Sequence, residues 1–289
     1  MSQPPDKDQD QASWGKRLLG LLLRLIRCVA LAYLLLLLAM TFVERWLVYP
    51  APPASRAEWV PAGDDHEEVW LTSVGGVRIH GRFYDRPDAK RALLYCHGNG
   101  ECVADNHELM KRLRNELDAS VLIFDYRGYG LSDGKPHESG VISDGEVAQR
   151  WLAEQLDIPV DQVLLMGRSL GGGVVTQLAD RQGAAALLLQ STFTRLTDAA
   201  ASHYPFLPVK LLMRNRYNSL ERISRYRGPV HISHGTADRV VPFSHAQILY
   251  DTSPSEDKRL FDLEPMGHND PQPSAYYLDL RQFLENSGL

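Results

Sequence analysis

Ser169 sits in Gly167-Arg168-Ser169-Leu170-Gly171, the G-x-S-x-G pattern of a nucleophile elbow. A serine hydroxyl is a weak nucleophile until a base takes its proton, and that base needs an acid to orient it. Five histidines follow in the chain: His203, His231, His234, His245 and His268. Only His268, in Met266-Gly267-His268-Asn269-Asp270, lies between the last strand-like run and the last helix-like stretch. A loop there can carry an imidazole over a sheet edge. For the acid, Asp238 follows the apolar run 230–233 through Gly235-Thr236-Ala237. Asp262 falls inside a strand-like run, Asp270 is too near His268 in sequence to orient it, and Asp198 reads as the first turn of a helix. The residues thus assign Ser169 as nucleophile, His268 as general base and Asp238 as its orienting acid. The competing reading is a glycine-rich turn with an incidental serine.

A second glycine-rich stretch, His97-Gly98-Asn99-Gly100, directly follows the run 92–96. Such a loop before a helix can cradle phosphate through its N–H groups. The following Glu101-Cys102 supplies neither a Walker pattern nor a lysine, so no nucleotide site and no cofactor are expected. Three cysteines (Cys28, Cys96, Cys102) are too few for a disulfide scaffold and too badly spaced for zinc, so no metal is expected either. Cys102 is read as a packing residue, with a reactive thiol or a Cys96–Cys102 disulfide as alternatives.

These residues need strands and turns to hold them. Apolar runs of strand length lie at 69–74, 77–84, 92–96, 121–124, 163–166, 185–189, 230–233 and, more weakly, 260–263. The first two flank Gly75-Gly76, a hairpin signal. The later runs are continuous rather than alternating, as in parallel strands covered on both faces. Amphipathic stretches at 107–117, 141–156, 170–181 and 276–284 read as helices. The pattern predicts a three-layer α/β domain with an antiparallel start. The stretch 194–227 exceeds an ordinary crossover and reads as a small helical cap.

The ordered set now on the page resembles the α/β-hydrolase superfamily. It comprises His97-Gly98-Asn99, the segment 125–132, Gly167-Arg168-Ser169-Leu170-Gly171-Gly172, the segment from His234 to Asp238, and Gly267-His268. More narrowly, it resembles the single-pass membrane-anchored serine hydrolases with an H-G-N oxyanion loop, a group that includes protein depalmitoylases. The resemblance implies a mostly parallel eight-stranded sheet flanked by helices. It makes Ser169, Asp238 and His268 the triad, and the backbone N–H groups of Asn99 and Leu170 the oxyanion hole. His97 then supports its loop rather than moving protons, and 125–132 is a structural loop beneath the site. The segment Gly100-Glu101-Cys102 departs from the pattern, which implies smaller and less polar residues there.

Residues 18–43 are almost wholly apolar, interrupted by Arg24 and Arg27. The uncharged part, 28–43, covers roughly 24 Å as a helix, and the preceding turns complete the ~30 Å hydrocarbon core. The run ends in Met40-Thr41-Phe42-Val43, with none of the small residues a signal peptidase needs. It reads as an uncleaved signal anchor, with Trp46 and Tyr49 as interfacial rings. Lys16, Arg17, Arg24 and Arg27 lie on the N-terminal side of the span and Arg45 alone close to its C-terminal side. The positive-inside rule therefore puts a tail, 1–17, in the cytoplasm and the rest outside, in a bacterium facing the periplasm. The acidic start (Asp6, Asp8, Asp10) argues against a mitochondrial presequence. Proline-rich 44–63 reads as a tether, and the hydrolase domain as 64–289.

Composition sets outer limits. Hydrophobic residues make up 44% and charged residues 23%, which excludes a disordered chain, a collagen-like repeat and a multi-span transporter. With 31 basic and 36 acidic residues the net charge is −5, which offers nucleic acid no basic surface. That figure averages unlike parts: the chain up to Arg27 carries five basic and three acidic residues. A local cluster of Arg214, Arg216, Arg222, Arg225 and Arg227 reads as a solvated face, with contact to anionic lipid headgroups as the sharper alternative. The expected function is a membrane-anchored hydrolase of carboxylic esters or thioesters, lipid esters included. A serine peptidase and a catalytically silent membrane-bound scaffold are the alternatives.

Overall fold

The continuous apolar runs become strands because a segment buried on both faces has no polar side to alternate with. The computed structural model describes residues 7–56, 59–61, 63 and 65–289; of residues 7–13, 15, 16 and 18 it describes the backbone alone. The expected tail before residue 7, the side chains of Asp8, Asp10 and Lys16, residues 57, 58 and 62 of the expected tether and the expected domain start at Asp64 lie outside the described residues.

A first helix, α1 (Lys7–Val48), precedes the sheet. It is followed by β1 (Glu67–Ser73), β2 (Val77–Tyr84), β3 (Arg91–Cys96), α2 (His107–Glu116) and β4 (Ala119–Phe124). Next come α3 (Glu138–Gln155), β5 (Leu164–Arg168), α4 (Leu170–Gln182) and β6 (Leu187–Gln190). Three short helices, α5 (Leu196–His203), α6 (Val209–Leu212) and α7 (Ser219–Ile223), form the stretch expected as a cap. The chain ends with β7 (Val230–Gly235), α8 (Ser244–Thr252), β8 (Lys258–Leu263) and α9 (Ser274–Asn286).

The strands form one sheet in the order β1-β2-β4-β3-β5-β6-β7-β8. The pairs β1–β2 and β2–β4 are antiparallel and every other pair is parallel. Gly75 and Gly76 turn the first hairpin at φ +82° and +73°, where a Cβ is strongly disfavoured. Alternate strand residues feed two cores. Leu94, Leu122, Leu165 and Leu187 face α3, α4 and α8; Leu93, Val121, Leu164 and Leu188 face α2 and α9. Each such side chain removed from water contributes about 1.5–3 kcal/mol, which fixes the strand ends where the loops carry chemistry.

Three local expectations shift. The sixth strand starts at Leu187 rather than 185, and α8 was not expected at all. The α8 segment buries only His245, Ala246 and Leu249, too sparse a stripe to signal a helix in nine residues. Tyr49, expected as an interfacial ring, is instead buried at 2% exposure. Its hydroxyl donates to Asn215 Oδ1 and lies 2.8 Å from the Tyr217 hydroxyl.

Two compact units divide the chain, the second running from Arg45 to Leu289. The unit carrying the sheet therefore takes in the start of the stretch expected as a tether, with Val48, Tyr49 and Pro52 buried in it. In the first unit, the apolar part of α1 is exposed along its length. Leu19–Val48 is long and apolar enough to cross a membrane, at about 45 Å for 30 residues.

Candidate active site

The turn between β5 and α4 bends so sharply that Ser169 stands at φ +51°, ψ −112°, a conformation side chains rarely adopt. Backbone bonds hold it there. The Ser169 N–H donates to the Gln190 carbonyl at 2.9 Å, and its carbonyl accepts from Thr192 Oγ1 at 2.7 Å and the Gly172 N–H at 3.0 Å. The flanking glycines are required by space: a Cβ on Gly167 would stand 2.3 Å from the Gly171 carbonyl oxygen. The hydroxyl is left half-buried at the C-terminal edge of the sheet, at the N-terminal end of the 13-residue α4.

His268 arrives from the loop between β8 and α9. Its Nε2 lies 3.1 Å from Ser169 Oγ and its Nδ1 lies 2.7 Å from Asp238 Oδ2. A carboxylate can only accept, so Nδ1 carries the proton and Nε2 is free to take one from the serine. The Gly267 N–H donates to Asp270 Oδ2 at 2.7 Å, so Asp270 shapes the loop and does not orient the imidazole. The acid loop and the histidine loop lean on each other. The Ala237 N–H donates to the Met266 carbonyl, and a Cβ on Gly235 would stand 2.2 Å from that same oxygen.

Asp238 is surrounded by donors. Its Oδ1 accepts the N–H groups of Val240 and Val241, each at 2.8 Å. Its Oδ2, besides facing His268, lies 3.2 Å from His234 Nε2. Burial pushes this carboxyl's pKa up, but the bonds from His234, His268 and the Val241 N–H outweigh it. They hold the group well below the usual carboxylate range. The acid is therefore a permanent anion at neutral pH, as a partner for an imidazolium must be.

The loop after β3 supplies the remaining geometry. His97 Nδ1 donates to the Gly98 carbonyl at 2.8 Å. Because C=O and N–H point oppositely across a planar peptide, this fixes the direction of the Asn99 N–H. Among the described residues neither the Asn99 nor the Leu170 amide donates to another protein group. Tyr126 donates to the His97 carbonyl and Tyr129 to Asn99 Oδ1, each at 2.8 Å. Both tyrosines come from the segment 125–132, whose Asp125 in turn accepts the Val103 N–H. His97 is fully buried against Tyr126. Its ring serves the loop, bonded to the Gly98 carbonyl and packed on Tyr126 and Tyr129.

Sequence reasoning overlooked two residues. Arg168 forms an ion pair with Glu101, and its Nη2 donates to Asn269 Oδ1 at 2.8 Å and to the His268 carbonyl at 3.2 Å. Arg168 ends β5 and Glu101 follows the end of β3; the two strands pair at Cys96 and Gly167, an adjacency that the sequence alone does not signal. Cys102 has no reactive character: it is buried, and burial pushes its thiol up to about 12. It and Cys96 are both free. In the arginine cluster, Arg222 and Arg225 pair with Asp180. No group of three or more potential metal ligands occurs among the described residues.

The profile of the alpha/beta hydrolase fold matches residues 91–206. The alpha/beta hydrolase domain-containing protein WAV2 of Arabidopsis thaliana is 31% identical over 76% of this chain and 79% of its own length. An uncharacterized protein of Mycobacterium tuberculosis is 36% identical over 92% of this chain and 97% of its own. The chain belongs to the alpha/beta hydrolase family. Among solved structures, this hydrolase is similar to the Pyrococcus furiosus esterase Pf2001. That likeness has a TM-score of 0.67 at 18% identity and covers 82% of this chain and 98% of the esterase. At that identity the similarity speaks for the fold.

Proposed function

We propose that this alpha/beta hydrolase is a serine hydrolase that cleaves carboxylic esters or thioesters through Ser169, His268 and Asp238. The observation that carries the reading is the unbroken chain of contacts, 3.1 Å then 2.7 Å, from a strained serine to a buried carboxylate. His268 takes the hydroxyl proton as Ser169 Oγ attacks the acyl carbonyl. The carbonyl electron pair moves onto oxygen, and the N–H groups of Asn99 and Leu170 hold that oxyanion. Collapse breaks the bond to the alcohol or thiol, which leaves with the proton from His268. Water then attacks the acyl-serine, giving its proton to His268, and a second collapse releases the acid and restores Ser169.

The protein acts from a membrane in this reading, with α1 as a single uncleaved span. In this reading the N-terminus is cytoplasmic and the catalytic unit lies outside, which the positive flank of the span supports. The exposed apolar surface of residues 19–43 supports this, because nothing in water rewards such a surface. The catalytic reading is tested by a fluorophosphonate probe: wild-type protein labels and Ser169→Ala does not. A chain-length series of acyl esters and thioesters beside aminoacyl amides separates ester from peptide hydrolysis. Folded wild-type protein that does not label would instead support a scaffold role. Anchoring is tested by retention of an N-terminal tag in the alkali-washed membrane fraction, and topology by a reporter fused after Leu289.

A further inference from the structure

Arg168 occupies a variable position of the G-x-S-x-G turn, yet its guanidinium contacts two other loops. One guanidinium nitrogen meets Glu101; the other meets the His268 carbonyl and Asn269 Oδ1. Glu101 continues the line on the far side. Its Oε2 accepts the Gly98 N–H at 3.2 Å and Asn106 Nδ2 at 3.4 Å. One ion pair thus joins the peptide next to Asn99 with the backbone of the proposed base. The two side chains are 17% and 20% exposed, so water screens them less than an ordinary surface pair.

We infer that Glu101 and Arg168 are a positioning pair that keeps the oxyanion loop and the histidine loop in register across Ser169. The inference rests on the serine-hydrolase reading. Neither side chain is asked to touch substrate. Glu101 holds the Gly98 peptide, His97 holds the next one, and the Asn99 N–H is aimed as a result. Arg168 holds the carbonyl of His268 itself, so a shift in the pair moves the donor and the base together. Displacements of about 1 Å at such a site cost on the order of 100-fold in rate.

The test uses the full chain in detergent micelles and p-nitrophenyl butyrate as substrate. Glu101→Gln, Arg168→Met, Arg168→Lys and the Glu101→Gln/Arg168→Met double variant are compared with wild type. The expected result is a fall in kcat of roughly 10- to 100-fold in Glu101→Gln and Arg168→Met with KM within about twofold. The double variant is then no worse than the worse single, because both act through one contact. Arg168→Lys recovers part of the loss. Effects that multiply in the double variant, a change in KM alone, or an unchanged kcat would each overturn the assignment. Melting curves are recorded beside the kinetics, and near-isosteric Glu101→Gln keeps the test decisive if Arg168→Met unfolds. Wild-type protein that neither labels nor hydrolyses overturns the serine-hydrolase reading and this pair with it; active wild type with unaffected variants overturns the pair alone.

Discussion

Gly171 lies so close to Cys96 that a Cβ on it would stand 1.9 Å from the Cys96 carbonyl oxygen. The first turn of α4 is thereby pressed against the last residue of β3, and Ser169 and the Asn99 loop share one backbone contact. Gly171→Ala must push these elements apart, at about 1–3 kcal/mol, the usual scale of overpacking. In a unit of this size that lowers the melting temperature by roughly 2–12 °C. Ester turnover should fall with it, and differential scanning calorimetry beside a hydrolysis assay checks both.

Ser169→Ala and His268→Ala should each lower kcat by several orders of magnitude, on the order of 10⁴ to 10⁶, with folding intact. Ser169→Gly should be equally inactive but more stable than wild type by about 1–2 kcal/mol, because glycine occupies φ +51° without strain. A lower melting temperature for Ser169→Gly than for Ser169→Ala would contradict the strain.

The acid side of the stability curve should report Asp238. Its carboxyl is held below its unfolded value, so its stabilisation is complete above about pH 4 and drains away as the pH falls toward the depressed folded value. Asp238→Asn has no such proton to gain. The gap in melting temperature between wild type and Asp238→Asn should therefore narrow from pH 5 to pH 2. At pH 7 the variant's kcat should be down by a factor on the order of 10⁴, since an amide favours the wrong imidazole tautomer.

Arg127 and Asp144 form a buried pair, 2.7 Å at its closest, with Asp144 also accepting the Arg127 N–H. Asp144→Ala strands a guanidinium that is only 7% exposed. The expected loss is on the order of 3–5 kcal/mol in urea unfolding. Ser73, which accepts from Arg127 Nη2, is a weaker partner, and Ser73→Ala should cost about 1 kcal/mol.

Cys102 should resist alkylation. With its thiol buried and pushed up to about 12, iodoacetamide at pH 8 should modify it only in denatured protein. Mass spectrometry of native and urea-treated samples distinguishes the two states.

Much of this was legible because the chain marks it locally. Ser169, Asp238 and His268 each follow an apolar run with a glycine nearby, and order along the chain leaves few partners for each. The eight strands were visible for the same reason: burial on both faces leaves unbroken apolar runs. The link between Glu101 and Arg168 was not visible, because it depends on β3 lying beside β5, and strand order is a property of the assembled sheet. Helix α8 was hidden by its short, half-apolar face. Tyr49 was misread because an aromatic after an apolar helix suits a lipid interface, while its acceptor, Asn215, lies 166 residues away.

The buried position of Tyr49 bears on what a break in the chain after it would do. A proline-rich stretch follows it. Here a cut beyond residue 56 would strip Tyr49, Pro52 and Arg56 from the released piece. The hydroxyl of Tyr217 would lose its partner and Gly100 its Arg56 contact. The released domain would carry an unfilled phenol-sized hollow. The first residues of this unit are thus part of its packing, not a dispensable lead-in to it.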